Sequence, residues 1–379
     1  MVPRDRQFGR ISIFLPSLDG GGAEKVMIGL ANGFAGQGLS VDLVVARAQG
    51  PRREEIGDGV TLIDLDVARI ARAARPLSSY LRTARPEAFL SALTHANVVL
   101  VLAARLARYQ GRIVVSERNS LTHLQAKKGT KARLRLALAR MAYRASDGVI
   151  AVSEALATEL QAFLGPSSPP VLAIPNPVDL DRITKRMTEP PGVALPCAPR
   201  NLVVAIGRLA PQKGFDVLLD AFAGGNDAGR HLMILGEGHQ RAALLRRAKE
   251  LGIADRLHLP GYVANPYAIL GRAAVYVLSS RYEGMPNGLL DALASGCRVV
   301  STDCPTGPRE ILRSPEDGIL VPVEDARALG RAIDAAVAQG RTGRPDALLR
   351  RYAPGRIQDC YLDAILGRVR PGAELAEAI

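Results

Sequence analysis

Short apolar runs alternate with longer amphipathic stretches along most of the chain, the rhythm of βαβ units that feed parallel sheets. In the first half the pattern predicts strands at Ile11–Leu15, Val41–Ala46, Thr61–Leu65, Phe89–Leu93, Ile113–Ser116, Val149–Val152 and Val171–Ile174, with helices at about 23–36, 96–108, 131–145 and 153–163. A second series begins at Leu202–Ile206 and continues with Leu232–Leu235, Leu257–Leu259, Val275–Leu278, Val299–Thr302 and Ile319–Val321, again with helices between. The stretch Pro190–Pro199 (PPGVALPCAP) has no period, and its prolines cannot donate ladder hydrogen bonds. The expected division is a Rossmann-like domain over 1–180, a linker over 181–200, a second Rossmann-like domain over 201–354, and a helical segment over 355–379 that packs back on the first domain. In open α/β sheets ligands bind beyond the carboxyl ends of the strands. A cleft between two such domains is therefore the expected site.

The length of 379 residues fits two domains, and 47% apolar residues are enough for two cores. Net charge is +12, with the larger excess in residues 1–180: 23 Lys/Arg against 15 Asp/Glu, compared with 26 against 22 in the remainder. A basic surface favours anionic partners. With 4% aromatic residues and no Trp, stacking platforms for nucleic acid are not expected. Cys197, Cys297, Cys304 and Cys360 form no CxxC pair, no His stands at ligand spacing, and no metal site is expected. The start MVPRDRQFGR lacks the apolar core of a signal peptide, and Val98–Ala104, the best apolar run, is too short to span a bilayer. The expected location is the cytoplasm, with membrane contact at most peripheral, on the inner face.

Three segments carry chemistry. In Ser279–Pro308 (SSRYEGMPNGLLDALASGCRVVSTDCPTGP) a strand ends and Glu283 and Gly284 follow in a short loop. Pro286 suits the first turn of a helix and Gly296 its end. The free amides near Asn287, Gly288 and Leu289, with the helix dipole, then make an anion site fit for a diphosphate. Glu283 has the reach for a sugar hydroxyl, and Asp291 for a second polyol. The plain alternative is an acidic loop and a solvated helix Asp. In Ile206–Asp216 (IGRLAPQKGFD), Arg208 and Lys213 follow a strand end, where a planar fork and a point charge would neutralise a diphosphate, unless they are two surface cations. Gly20-Gly21-Gly22 permits close backbone approach to a ligand, or is a flexible turn. It matches neither the P-loop pattern nor the dinucleotide fingerprint.

Together these segments resemble glycosyltransferase family 4, the retaining family with the GT-B fold. GGGAEKVMIGLANGF, VIAVSEAL, IPNPVD, GRLAPQKGFDVLLDAF, GEG, SRYEGMPNGLLDALASG and STDCPTGPREIL follow the family order from about residue 20 to 312. STDCPTGPREIL is similar to bacterial enzymes acting on lipid-linked oligosaccharide or lipopolysaccharide. The resemblance implies that Arg208 and Lys213 bind the donor diphosphate and that Glu283 contacts the donor sugar. It also implies that Gly284, Met285, Pro286, Asn287, Gly288 and Leu289 hold sugar and phosphate through their backbone. Gly21 and Gly22 would border the donor, and His95, in LTHAN, matches a histidine that contacts the sugar in many relatives. Asp291 stands where the family carries a ribose-binding Glu, one methylene longer. Glu117, Arg118 and Asn119 (SERN) end another strand and face either the acceptor or solvent.

No carboxylate stands out as a covalent nucleophile. The family-like expectation is front-face departure and attack, with the cations and helix amides stabilising the leaving phosphate and no cofactor required. Asp64-x-Asp66 and Asp179-x-Asp181 lie outside the donor motifs and are read as incidental. KKGTKARLRLALARMAYR, 127–144, sets seven cations around an apolar stripe and suits an anionic membrane surface or a solvated helix face. The expected partners are a nucleotide-sugar donor, a glycan or polyprenyl-linked acceptor and that surface, and no nucleic acid. Rival readings are a sugar-nucleotide epimerase, which would release free sugar without an acceptor, a non-catalytic sugar-nucleotide binder, and a basic nucleic-acid binder marked by steep salt dependence.

Overall fold

The computed structural model describes residues 9–121, 129–225, 229–341 and 343–368. The chain divides into two compact units. One holds the residues up to Pro177 together with those from Pro354 onward, and the other is Val178–Ala353.

The first unit is a seven-stranded parallel sheet in the order β3-β2-β1-β4-β5-β6-β7, from β1 (Ile11–Leu15), β2 (Val41–Val45), β3 (Val60–Asp64), β4 (Ala88–Ala92), β5 (Arg112–Glu117), β6 (Gly148–Ala151) and β7 (Val171–Ala173). Its helices are α1 (Gly22–Gly36), α2 (Ala74–Ala84), α3 (Thr94–Ala107), α4 (Thr130–Arg144) and α5 (Glu154–Leu164). Each strand from β1 to β6 falls where the apolar runs predict. The helix α2 is an addition. Its buried positions Ala74, Leu77, Ser78 and Leu81 have helical spacing, but Pro76 and the arginines around it mask the period. Pro76 lies in the first turn, where no intrahelical N–H is needed.

The second unit carries a six-stranded parallel sheet, β10-β9-β8-β11-β12-β13. Its strands are β8 (Leu202–Ile206), β9 (His231–Leu235), β10 (Leu257–Gly261), β11 (Val275–Leu278), β12 (Arg298–Thr302) and β13 (Ile319–Val321). The helices are α6 (Leu180–Met187), α7 (Phe215–Ala223), α8 (Arg241–Glu250), α9 (Tyr267–Leu270), α10 (Asn287–Ala294), α11 (Pro308–Ile311), α12 (Ala326–Gln339) and α13 (Asp346–Leu349). The last helix, α14 (Pro354–Leu366), returns to the first unit, where Ile357, Tyr361 and Ile365 join the core of Ile13, Leu30 and Phe34.

The passage between units falls at Pro177–Val178, earlier than the expected linker at 181–200. Residues 180–187 form α6, whose Arg186 carbonyl accepts from Asn265 Nδ2 at 2.8 Å, and Val178 N donates to Tyr352 O at 2.7 Å. The prolines of 190–199 resemble a linker because they lack period, yet the backbone before them is already tied into the second unit. Asp179 caps α6 by accepting from Arg182 N at 2.9 Å, and Asp64 accepts from Asp66 N at 2.9 Å. Each first Asp of the two Asp-x-Asp pairs therefore organises local backbone.

Strand order determines where loops converge. In both sheets the order reverses once, between β1 and β4 and between β8 and β11. Connections leave those neighbouring strands toward opposite faces, so a crevice opens beyond their carboxyl ends. The Gly20–Gly22 loop follows β1 and His95 follows β4. The Arg208–Lys213 loop follows β8 and the Glu283 loop follows β11.

Candidate functional site

In the second unit the loops after β8 and β11 are stitched together. Arg281 N donates to Gln212 O at 2.8 Å, Gln212 Nε2 to Tyr282 O at 2.9 Å, and Ser279 Oγ to Lys213 O at 2.8 Å. Gly214 begins α7 with φ +59°, and a Cβ there would lie 2.1 Å from Ser279 O. Only glycine fits both the left-handed backbone and that approach. Arg281 forks onto Asp216 at 3.0 and 2.8 Å, bonds Pro211 O at 2.6 Å, and also grips Glu324, Nη2 to Oε2 at 3.2 Å. Burial pushes the Asp216 carboxyl up, but the Arg281 hydrogen bonds, the Arg281 charge and the backbone amides of Asp216 and Val217 together outweigh it and hold the group below its ordinary value.

Lys213 and Glu283 meet within this frame, with Nζ 2.6 Å from Oε1 and side chains 19% and 7% exposed. Ser280 Oγ donates to the same oxygen at 2.6 Å, and Thr306 Oγ1 donates to the Glu283 carbonyl. The sequence reading assigned Lys213 to phosphate and Glu283 to sugar separately; here they are one pair. Arg208 is exposed at the end of β8. The GEG turn braces its loop, with Leu209 N donating to Glu237 O at 2.9 Å and Gln240 N to Leu209 O at 3.0 Å.

The helix α10 starts at Asn287, with Pro286 at the cap position rather than in the first turn. Pro286 is extended, so the helix starts one residue later than expected; the amides of Asn287 and Gly288 lead it, and the Leu289 amide already donates to Pro286 O at 3.0 Å. Gly296 has φ +65° just past the C-cap Ser295. Asp291 lies in the second turn and is buried. Beneath the first turn stands Tyr276 on β11, fully buried, with a hydroxyl that has no hydrogen-bond partner among the described residues. Burial, with Glu283 and Asp291 nearby, pushes that phenol well above its ordinary pKa. Tyr276, Ser280, Arg281 and Thr306 are parts of the site that motif reading passed over. The signal was present as one polar ring within the apolar strand β11 and as polar side chains in the loops that follow β11 and β12.

In the first unit Gly21 caps α1, and a Cβ there would lie 2.1 Å from Glu24 Oε2. The Glu24 carboxylate therefore lies against the Gly21–Gly22 turn. His95 is exposed in the first turn of α3, preceded by Leu93 at φ +80°, a backbone that L residues rarely adopt. Glu117 and Arg118 are turned inward, which corrects the expectation that they face acceptor or solvent. Glu117 accepts from Thr94 Oγ1 at 2.8 Å, Tyr143 OH at 2.5 Å, and the amides of Arg118 and Asn119 at 2.9 and 3.2 Å. Burial holds its carboxyl above the ordinary value, and those four hydrogen bonds offset only part of that rise. Arg118 donates to Tyr361 OH at 2.8 Å and Asn176 Oδ1 at 2.5 Å, tying β5 to α14. Asn119 is half-buried beside them.

Burial pushes the thiols of Cys297 and Cys304 up to about 12, and all four cysteines are free. Among the described residues no group of three or more His, Cys, Asp or Glu side chains is placed to hold a metal ion. Within those residues, no helix is long and apolar enough to cross a membrane.

Two Rossmann-like units, each a parallel sheet with one switch point, make up the GT-B architecture of glycosyltransferases. The chain belongs to this family: residues 20–182 match the model for Glycosyltransferase Family 4, and residues 200–339 the model for Glycosyl transferases group 1. The lipopolysaccharide core biosynthesis glycosyltransferase LpsE of Rhizobium meliloti is 32% identical over 173 residues, 44% of this chain and 50% of LpsE. The N-acetylgalactosamine-N,N'-diacetylbacillosaminyl-diphospho-undecaprenol 4-alpha-N-acetylgalactosaminyltransferase of Campylobacter jejuni is 27% identical over 230 residues, 61% of each chain. The chain thus spans about half to three fifths of the length of these curated relatives. Among solved structures, Anabaena HepE with UDP and glucose has a TM-score of 0.77 at 18% identity, covering 95% of this chain and 100% of HepE. WaaG, a glycosyltransferase involved in lipopolysaccharide biosynthesis, has a TM-score of 0.70 at 16% identity, covering 93% of this chain and 95% of WaaG. These two likenesses support the fold.

Proposed function

We propose that the protein transfers a hexose or N-acetylhexosamine from a nucleotide-sugar, a UDP-sugar first, to a glycan acceptor carried on a lipid, with retention at the anomeric carbon. The observation that carries this reading is the Lys213–Glu283 pair beside the amides of α10, at the switch point of the second unit. Its cation, with Arg208, suits a diphosphate, and its carboxylate suits a sugar hydroxyl. The choice of UDP draws on HepE, solved with UDP and glucose, and the lipid-carried acceptor on the Campylobacter relative, named for a diphospho-undecaprenol substrate and an alpha product.

In this mechanism the bond between the anomeric carbon and the β-phosphate oxygen breaks, while the acceptor oxygen bonds to the same face. The acceptor proton passes to the departing phosphate. Arg208, Lys213 and the α10 amides stabilise the negative charge that develops there. Donor binding lets Lys213 exchange part of its contact with Glu283 for phosphate, which frees Glu283 for the sugar. Charge compensation by two cations and a helix terminus removes the need for a divalent ion. Work at the inner membrane face follows from the acceptor class and from α4, whose cations Lys131, Arg133, Arg135, Arg140 and Arg144 accompany the exposed Leu134, Leu138 and Met141. Lys127 and Lys128, the other two cations of the basic segment, lie outside the described residues.

The test is a panel of sugar nucleotides incubated with membrane lipid extract, reading nucleotide release and the anomeric configuration of the product. Acceptor-dependent UDP release with an α product, unchanged by EDTA, is expected. Free epimerised sugar without an acceptor would overturn the transfer reading, an inverted product the stereochemistry, and rescue by manganese after EDTA the metal-free mechanism.

A further inference from the structure

Five of the seven large apolar side chains exposed among the described residues lie on two packed helices of the first unit. Leu102 and Leu106 stand on α3, and Leu134, Leu138 and Met141 on α4. Helix α4 buries only Ala139, Ala142 and Tyr143 of its fifteen residues. A helix of that composition ordinarily turns its leucines inward, so this apolar row calls for a partner.

Beside the row lies an open groove of about 700 Å³, walled by α3, α4 and the end of α5. Arg105, Arg140 and Arg144 line it with Met141 and Phe163, and none of its lining residues is acidic. Two of the guanidinium groups are held in place: Arg144 Nε donates to Leu164 O at 2.9 Å and Arg140 Nη2 to the same carbonyl at 3.5 Å. Each keeps further N–H groups for a ligand, because a guanidinium carries five. The helices of a βαβ unit run antiparallel to its strands. The groove, at the C-terminal ends of α3, α4 and α5, therefore lies at the end of the unit opposite His95 and the Gly20–Gly22 loop. It is separate from the reacting end.

We propose that this groove is a lipid-phosphate site: the three arginines hold the phosphate of an anionic phospholipid while the apolar row enters the acyl layer beside it. Charge complementarity names the occupant. Planar forks match phosphate oxygens, an uncharged or basic partner would leave three cations unanswered, and the exposed apolar row beside them calls for acyl chains rather than a purely acidic, water-soluble partner. The proposal rests on the membrane-surface reading given above and deepens it, because it makes attachment depend on a groove and not only on diffuse charge.

The experiment is co-sedimentation of the full chain with phosphatidylcholine vesicles, with and without phosphatidylglycerol, at fixed salt. Two triple variants are compared: Arg105→Gln with Arg140→Gln and Arg144→Gln, which empties the groove, and Lys131→Gln with Arg133→Gln and Arg135→Gln, which removes equal charge from α4 outside it. Removing three cations from the surface lowers partitioning by roughly fivefold per charge, so the control should lose on the order of a hundredfold at most. The groove variant should lose at least tenfold more than the control, about the worth of one bidentate contact. A third variant with lysine at all three groove positions keeps the charge and loses the fork, and should fall between them. Circular dichroism confirms folding, and the lysine variant serves if glutamine at 140 and 144 unseats Leu164. Equal losses in groove and control variants would overturn the groove while leaving the membrane reading intact. Wild-type protein that ignores phosphatidylglycerol vesicles would overturn both. Groove-dependent binding of inorganic phosphate, together with vesicle binding that the groove variant does not weaken beyond the control, would reduce the groove to a plain anion site and refute the lipid assignment.

Discussion

Gly288 is the position where the donor-site helix meets the sheet most closely. A Cβ built there lies 2.4 Å from Tyr276 Oη, 3.3 Å from Cζ and 3.7 Å from Cε2. Optimal separation of such atoms is about 3.5 Å, so in Gly288→Ala the methyl sits about 1 Å too close to the hydroxyl alone. Tyr276 cannot swing aside, because it is fully buried on β11, between β8 and β12. Overpacking of this kind costs about 1–3 kcal/mol. Alanine returns up to about 1 kcal/mol through helix propensity, which leaves a net loss of up to about 2 kcal/mol. The helix relieves the clash by moving outward and carries the amides of Asn287–Leu289 with it, so donor KM rises. Tyr276→Phe removes the clashing atom, and the next neighbour, Cζ at 3.3 Å, is close to contact distance. It also removes a buried hydroxyl without a partner, so by itself it should leave stability unchanged or raise it. The prediction is a change of sign: Gly288→Ala destabilises with Tyr at 276 and is neutral or stabilising with Phe. Scanning calorimetry of the four proteins reads this as a fall in Tm of up to roughly 8 °C that disappears in the double variant. The same penalty in both backgrounds would show that the methyl meets something other than the hydroxyl, and the close approach of α10 to β11 would be refuted.

Arg208→Ala and Lys213→Ala should each cost about 2–4 kcal/mol of transition-state stabilisation with the verified donor. Only Lys213→Ala should also lower Tm, because it leaves the Glu283 carboxylate buried without its cation; equal melting of the two variants would contradict the pairing. Asp291→Ala should raise donor KM more than it lowers kcat, by about 1.5–3 kcal/mol of lost hydrogen bonding to a charged group, and a 2′-deoxy donor should erase the difference. Unchanged KM would remove Asp291 from the site. The His231–His258 pair, with ring nitrogens 2.9 Å apart, gives the second unit a pH dependence. Burial, with His231 as neighbour, lowers the His258 pKa from 6.5, and Asp255 pulls weakly the other way. The folded state therefore binds fewer protons than the unfolded one. Stability is full above about pH 6.5 and is lost as pH falls toward the lower folded value. Tm compared at about pH 7.5 and about pH 5.5 should drop less in His258→Phe than in the wild type, and identical drops would count against the pair.

The architecture could be read before any coordinates because parallel strands buried on both faces appear as continuous apolar runs, as in Leu202–Ile206 and Val275–Leu278. Helices α2 and α6 could not, since one hides its apolar stripe behind Pro76 and the other buries a single residue, Ile183. Motif spacing brought out Lys213 and Glu283 as separate ligands. It was silent on their pairing, which depends on β8 and β11 being neighbours although 68 residues separate Ile206 from Val275. Glu117 and Arg118 looked like surface polar groups because nothing in the local sequence points to Tyr143 or to Tyr361, 243 residues after Arg118.

The return of α14 to the first unit sets an order of assembly. During synthesis the sheet β1–β7 emerges well before Ile357, Tyr361 and Ile365, so the core of Ile13, Leu30 and Phe34 waits, partly uncovered, while all of Val178–Ala353 is made. The second unit is contiguous and can close as soon as it leaves the ribosome. Arg118 meanwhile lacks Tyr361 until the last helix arrives. The unit translated first is thus completed last, and a chaperone or the membrane surface has that interval in which to act on it.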